Sequence, residues 1–437
     1  MAMASDAAAG GRSIVLRGVR PYGEDPVDIV IDDGVITDLA AAGAGSGHVI
    51  DADGLVALPG FVDLHTHLRE PGREDAETVL TGSQAAALGG FTCLHAMANT
   101  NPVADTAGVV EQVWRLGEVA GLVDVRPVGA VTVGLDGVRM AELGAMADSA
   151  AAVRVFSDDG KCVHDAVLMR RALEYVKAFD GVVAQHAQEP RLTEDAQMNE
   201  GELSGRLGLA GWPAVAEEAI IARDVLLAQH VGSRLHVCHV STAGSVEVIR
   251  WAKARGVDVT AEVTPHHLIL TEDLVSSYNP LYKVNPPLRT ARDVQALREA
   301  LADGTIDAIA TDHAPHPHED KDCEWAAAAM GMLGLETAFS VALATMVEPG
   351  LIGWRELAQR MSVRPAAIGR VRTQGHDLVV GAVANIAVVD PSARRVISPT
   401  GLASKSRNTP YAGMDLPGRV VHTLFAGSPT VLDGVLA

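Results

Sequence analysis

The sequence predicts an α/β fold, a closed (β/α)8 (TIM) barrel with a small β-sandwich domain, and three observations carry that expectation. First, between residues 61 and 375, short apolar β-branched runs alternate with Ala/Leu/Glu/Arg-rich stretches. Eight such runs covered by helices imply a parallel sheet, and that number closes a barrel better than it fills an open sheet. Second, both ends of the chain are rich in Val and Ile, broken by Gly and Pro, without helical periodicity. Third, the polar residues of the middle region gather where the apolar runs stop.

Taken in order, residues 1–11 are small and of low complexity, which predicts a disordered start. SIVLRGV, VDIVI and GVITDLA then read as strands, with Asp32-Asp33-Gly34 as a hairpin signal. The eight runs follow: FVDLHTH, FTCLHAM, VRPVGAVTV, AAVRVFSDD, GVVAQH, RLHVCHVS, VDVTAEVT and IDAIATDH. Between them lie amphipathic stretches. In EEAIIARDVLLAQH, Ile221, Val225 and Ala228 recur at helical spacing. NIAVVD and VVHTLFAGSPTVLDGVLA close the chain in the style of its start. Residues 12–60 with 376–437 are therefore expected to form one β domain, and 61–375 the catalytic barrel.

With 437 residues, 48% hydrophobic and 21% charged, a disordered or fibrous chain is excluded. Thirty-five basic against 55 acidic residues leave a net charge of −20, unsuited to nucleic acid or an anionic membrane. An anionic substrate would need a local cation. The cysteines, Cys93, Cys162, Cys238 and Cys323, form no CxxC pair, so neither disulfides nor a thiolate zinc site are expected. No signal peptide and no membrane span is read, and a cytoplasmic setting is expected.

Five runs end in imidazole or carboxylate: His65 and His67, Asp158-Asp159, His186, His239, and Asp312-His313. A barrel of this kind brings its carboxyl strand ends around one mouth. His65 and His67 share a strand face, being two residues apart. One histidine at a strand end is an ordinary structural residue. Five independent strand ends are not, because unpaired buried imidazoles and carboxylates would each cost several kcal/mol. Neutral imidazole with carboxylate suits zinc and similar divalent metals.

GFVDLHTHLREPG, AMANTNPVADT, FSDDG, AEVTPHHL, KVNPPLR and ATDHAPH, in that order, resemble the dihydroorotases of the amidohydrolase superfamily. The likeness runs from about residue 12 to the end, with Ala98 standing where the family usually has proline. It is to the bacterial type with aspartate in place of a carboxylated lysine. The resemblance implies two Zn2+ per subunit, bridged by Asp159 and a hydroxide. His65, His67 and Asp312 match one metal's ligands, and His186 and His239 the other's. Asp158 then reads as a strand-end residue, and His313, His266 and His267 as supporting groups.

It further implies zinc-dependent, reversible hydrolysis of (S)-dihydroorotate to N-carbamoyl-L-aspartate in de novo pyrimidine (UMP) biosynthesis, with Asp312 moving the proton. Arg69, Asn99 and His316 match the residues that hold the substrate carboxylate, while Asn285, Met330 and Gly331 match ring contacts. His67 and Leu68 complete the substrate set. Residues 316–331 read as a long loop able to close over the site, or as a plain surface loop. A homodimer is expected, and association with aspartate transcarbamoylase is admitted. Two rivals stand beside this reading. Hydantoinases and allantoinases share the barrel but usually carry the lysine; non-catalytic homologues lose metal ligands that this chain retains.

Overall fold

The computed structural model describes residues 13–437, so the expected disordered segment 1–11 lies outside the described residues. Five strands open the chain: β1 (Ile14–Pro21), β2 (Val27–Asp32), β3 (Val35–Ala41), β4 (His48–Asp51) and β5 (Val56–Pro59). The barrel strands follow: β6 (Phe61–Thr66), β7 (Phe91–Ala96), β8 (Asp124–Pro127), β9 (Val155–Phe156) and β10 (Val182–Gln185). A two-stranded ribbon, β11 (Met198–Asn199) and β12 (Gly211–Trp212), precedes β13 (Leu235–Val237), β14 (Val259–Val263) and β15 (Ala308–Ile309). The chain ends with β16 (Ile386–Val396), β17 (Asp415–Phe425), β18 (Ser428–Leu432) and β19 (Val435–Leu436).

Both ends of the chain share one sheet, ordered β19-β18-β17-β16-β5-β1-β2-β3, with β4 on β1. Asp33 and Gly34, both at positive φ, make the two-residue turn between β2 and β3. At Gly18 (φ 69) the register of β1 shifts, and its N–H donates to Asp28. Past this bulge β1 keeps one pairing with β2, Val19 with Val27, and then pairs with β5, which continues to β16.

All eight apolar runs are barrel strands. β6-β7-β8 and β9-β10-β13-β14-β15 form two parallel sets, joined by bridges between Gly129 and Phe156 and between Thr66 and His313. Several strands are shorter than their runs because the terminal residues leave the sheet: His239 and Asp312 have φ of 31° and 44°. The helix Val215–Val231 buries Ile221, Val225 and Ala228, the expected stripe. At the other end of the barrel, helix Arg364–Gly369 packs Ile368 on Leu64, Ala308 and Ala310. Residues 403–411, grouped by sequence with the terminal β unit, lie instead against barrel loops. Ser406 donates to Ala76 O, and Asn408 to Ala314 O and Gly331 O. No helix among the described residues is long and apolar enough to cross a membrane.

Candidate metal centre

The first and last barrel strands are locked together before any ligand is placed. Asp63, fully buried on β6, accepts hydrogen bonds from the Thr311 amide and hydroxyl, the Thr66 hydroxyl and the His65 amide. That network fixes His65 and His67 on one side and Asp312 on the other. His65 Nε2 lies 3.2 Å from Asp159 Oδ1 and 3.5 Å from Asp312 Oδ1. His67 Nε2 lies 3.3 Å from Asp159 Oδ2 and 3.1 Å from Asp312 Oδ1. His186 Nδ1 and His239 Nε2 each lie 3.3 Å from Asp159 Oδ1, the oxygen that also faces His65. Asp159 thus touches all four imidazoles.

Three of the imidazoles are held from behind. Nδ1 of His65 donates to Glu262 at 2.8 Å, Nδ1 of His67 to Asn99 Oδ1 at 2.9 Å, and Nε2 of His186 to Gln188 Oε1 at 2.8 Å. With its proton turned outward, each neutral ring presents a lone pair inward. His186 Nδ1 and His239 Nε2 face each other at 2.8 Å, and His65 Nε2 is buried without a hydrogen-bond partner. Converging lone pairs beside two carboxylates ask for a cation, so the residues present fit a divalent metal. Cys238 and Glu262 also lie within ligand distance of His65.

Burial raises Asp159 and Asp312, but the imidazoles, His65 foremost, hold both below the usual carboxylate range. Glu262, buried between His236 and His65, is likewise raised by desolvation and brought down by their hydrogen bonds to about 2.

The residues matched to substrate line up beside this cluster. Arg69, at φ 61, donates to Pro315 O at 3.1 Å and lies 3.5 Å from His316 Nε2. Among the described residues its guanidinium forms no ion pair. Burial pulls it down to about 10, so it stays charged at neutral pH. His316 Nε2 donates to Met330 O at 3.0 Å; burial and then Arg69 bring its pKa to about 3. Gly331 must be glycine there, since a Cβ would meet His316 at 2.7 Å. Asn285 donates to Gln188 Oε1 at 3.2 Å, while its own Oδ1 is buried and unpartnered. Leu68 turns its side chain into the core, against Gly82.

Other expectations resolve individually. Asp158 faces away from the cluster and accepts from the Val131 and Thr132 amides. His313 pairs with buried Glu77 at 3.3 Å, and His267 bonds Thr264 and Pro287. Residues 316–331 include the helix His318–Lys321 and are fastened by two lysines. Lys321 donates to Pro280, Lys283 and Ala329 carbonyls, and Lys283 to those of Trp325 and Ala326. The four cysteines are free. Sequence reasoning missed Glu262, Gln188 and Asn408. Glu262 alone left a signal, a carboxylate inside an apolar strand, which needs a buried partner.

Comparison with known proteins agrees with this geometry. Residues 54–245 match the family described as Dihydro-orotase-like. Dihydroorotase of Streptomyces coelicolor (strain ATCC BAA-471 / A3(2) / M145) is 68% identical over 97% of this chain and 99% of its own length. That of Mycobacterium tuberculosis (strain ATCC 25618 / H37Rv) is 57% identical over the same shares. Among solved structures, L-hydantoinase (dihydropyrimidinase) from Arthrobacter aurescens superposes with a TM-score of 0.86 at 26% identity, covering 98% of this chain and 97% of its own. Dihydropyrimidinase from Brevibacillus agri NCHU1002 gives 0.82 at 22%, with 98% and 96% coverage, a likeness of fold: a TIM barrel with a β-sandwich. Full-length identity at this level, on a barrel whose strand ends deliver the family's ligand types, leaves one assignment: the chain belongs to the dihydroorotase family of the amidohydrolase superfamily.

Proposed function

We propose that this enzyme interconverts (S)-dihydroorotate and N-carbamoyl-L-aspartate with two zinc ions, the cyclisation step of de novo pyrimidine synthesis, in the cytoplasm. The observation that carries the substrate is Arg69. A half-buried guanidinium without a carboxylate of its own, beside the candidate metal ligands, in a chain of net charge −20, calls for an anion supplied by the substrate. Dihydroorotate carries such a carboxylate outside the scissile amide; uncharged cyclic ureides do not.

His65, His67 and Asp312 would hold one zinc, His186 and His239 the other, and Asp159 both. When bound, such ions lower the pKa of water from about 15.7 towards 7 and polarise a carbonyl. Asp312 takes the proton of the attacking water and delivers it to the leaving ring nitrogen; in cyclisation it removes the ureido proton. Arg69 pairs with the substrate carboxylate through its planar fork, and the Asn99 amide, whose oxygen holds His67, offers its N–H beside it. Asn285, Met330 and Gly331 frame the ring, with His316 anchored on Met330 O. We take 12–60 with 376–437 as one β domain, its segment 403–411 resting on the barrel loops, and 61–375 as the catalytic barrel.

Metal analysis of protein purified without chelator, with an assay on dihydroorotate, tests the proposal. Chelation should abolish turnover and zinc restore it. Full activity in metal-free protein overturns the mechanism. Turnover of 5-substituted hydantoins with none of dihydroorotate overturns the substrate.

A further inference from the structure

The barrel end opposite the metal ligands contains a cavity of about 240 Å3. It is lined by Arg126 of β8, Arg154 just before β9, Arg370 and Arg372 just after helix Arg364–Gly369, and His95 of β7. Arg126 pairs with Asp124 and Arg370 with Asp180, each at 2.8 Å. Arg154 donates to the carbonyls of Ala147 and Val153, and Arg372 forms no ion pair among the described residues. Arg234, next to Arg370, donates to Ile368 O and lies 4.0 Å from Asp180. Glu118 and Asp258 are more distant carboxylates. His95 is neutral at pH 7. Five guanidinium groups against two close carboxylates leave three uncompensated positive charges, in a chain of net charge −20.

Arg370 and Arg372 stand exposed at the cavity's rim, while Arg126 and Arg154 are half-buried. Here Arg126 Nε is buried without any partner. Gly369 lets the end of the helix approach His95 closely: a Cβ there would lie 2.3 Å from His95 Nε2. We propose that this cavity binds a small oxyanion of the phosphate class, as the free ion or as the terminal group of a phosphorylated metabolite. A dianion matches the excess charge better than a carboxylate, and guanidinium forks arriving from separate segments suit a tetrahedral acceptor.

The test is calorimetry on the full-length metal-loaded enzyme in chloride buffer, with inorganic phosphate, pyrophosphate and a nucleoside 5′-monophosphate as probes. Saturable binding is expected at millimolar concentrations or below. Phosphate binding as tightly as the nucleotide identifies the free ion; a tighter nucleotide identifies a terminal group. The Arg154→Gln/Arg372→Gln double variant should weaken binding by about tenfold or more, with unchanged turnover of dihydroorotate in phosphate-free buffer. Arg69→Ala should leave phosphate binding intact. Absence of saturable binding by all three probes overturns the proposal, as does binding that survives the double variant. Loss of binding in Arg69→Ala overturns it too, because the anion then sits in the catalytic mouth.

Discussion

Glu262 accepts a hydrogen bond from Nδ1 of His65 at 2.8 Å, and both side chains are fully buried. Its other oxygen takes Nε2 of His236, which leans on the Thr260 hydroxyl. The metal-facing nitrogen of His65 is therefore set by residues two strands away. Such outer partners typically tune metal affinity by about 10–100-fold. Glu262→Gln should lower zinc affinity within that range, read by competition with a chromogenic chelator. Unchanged affinity would mean that packing alone orients His65.

Asp312→Asn keeps shape and a metal contact but cannot cycle a proton. General acid–base catalysis contributes about 10²–10⁴-fold, so turnover in both directions should fall by at least that. Near-normal rates with metal still bound would assign the proton to another group.

Arg69→Ala removes the cation proposed to meet the substrate carboxylate. A charge-assisted hydrogen bond is worth about 1.5–3 kcal/mol, and its loss leaves the anion unpaired as well. The kcat/KM for dihydroorotate should drop roughly 10²-fold or more, and that for dihydrouracil far less. Equal losses on both substrates, at equal metal content, would make Arg69 a structural residue.

Asn408→Ala probes the reach of the C-terminal segment. Asn408 Oδ1 accepts from the His316 amide, while Nδ2 donates to Ala314 and Gly331 carbonyls. Removing it strands buried groups at a cost of about 1–3 kcal/mol each. The midpoint of thermal unfolding should fall and KM should rise more than kcat falls. An unchanged KM would uncouple this segment from substrate binding.

His95 gives a pH signature away from the metals. Burial lowers its pKa to about 4, against a hydrogen bond to Asp63 O that raises it. Below pH 6.5 the unfolded chain takes up a proton that the folded one refuses until about 4. Its contribution is therefore lost as pH falls through that window, by up to roughly 3 kcal/mol. The fall in Tm between pH 7 and 4.5 should be shallower in His95→Gln. Parallel curves would place the acid sensitivity elsewhere.

The eight strands were legible because their apolar runs are short, β-branched and separated by helical periods, which is a local signal. The candidate ligands were legible for a related reason. A polar residue that ends an apolar run must face a mouth or carry an unpaired buried charge, and five runs ended so. The family motifs then assigned His65, His67, Asp159, His186, His239 and Asp312 to their places. What the chain does not write locally is which side chains stand behind those ligands. Glu262 reaches His65 from 197 residues away, and Asn408 meets His316 across 92. The two ends of the chain show strand-like composition, but only tertiary structure takes residues 403–411 out of their sheet and seats them on the barrel loops. Likewise no motif marks the arginine-lined cavity, because its residues are ordinary in sequence and become a site only when separate segments converge. Local pattern determined the fold and the first ring of chemistry. Long-range packing, which satisfies buried polar groups with whatever the topology brings near, decided the rest.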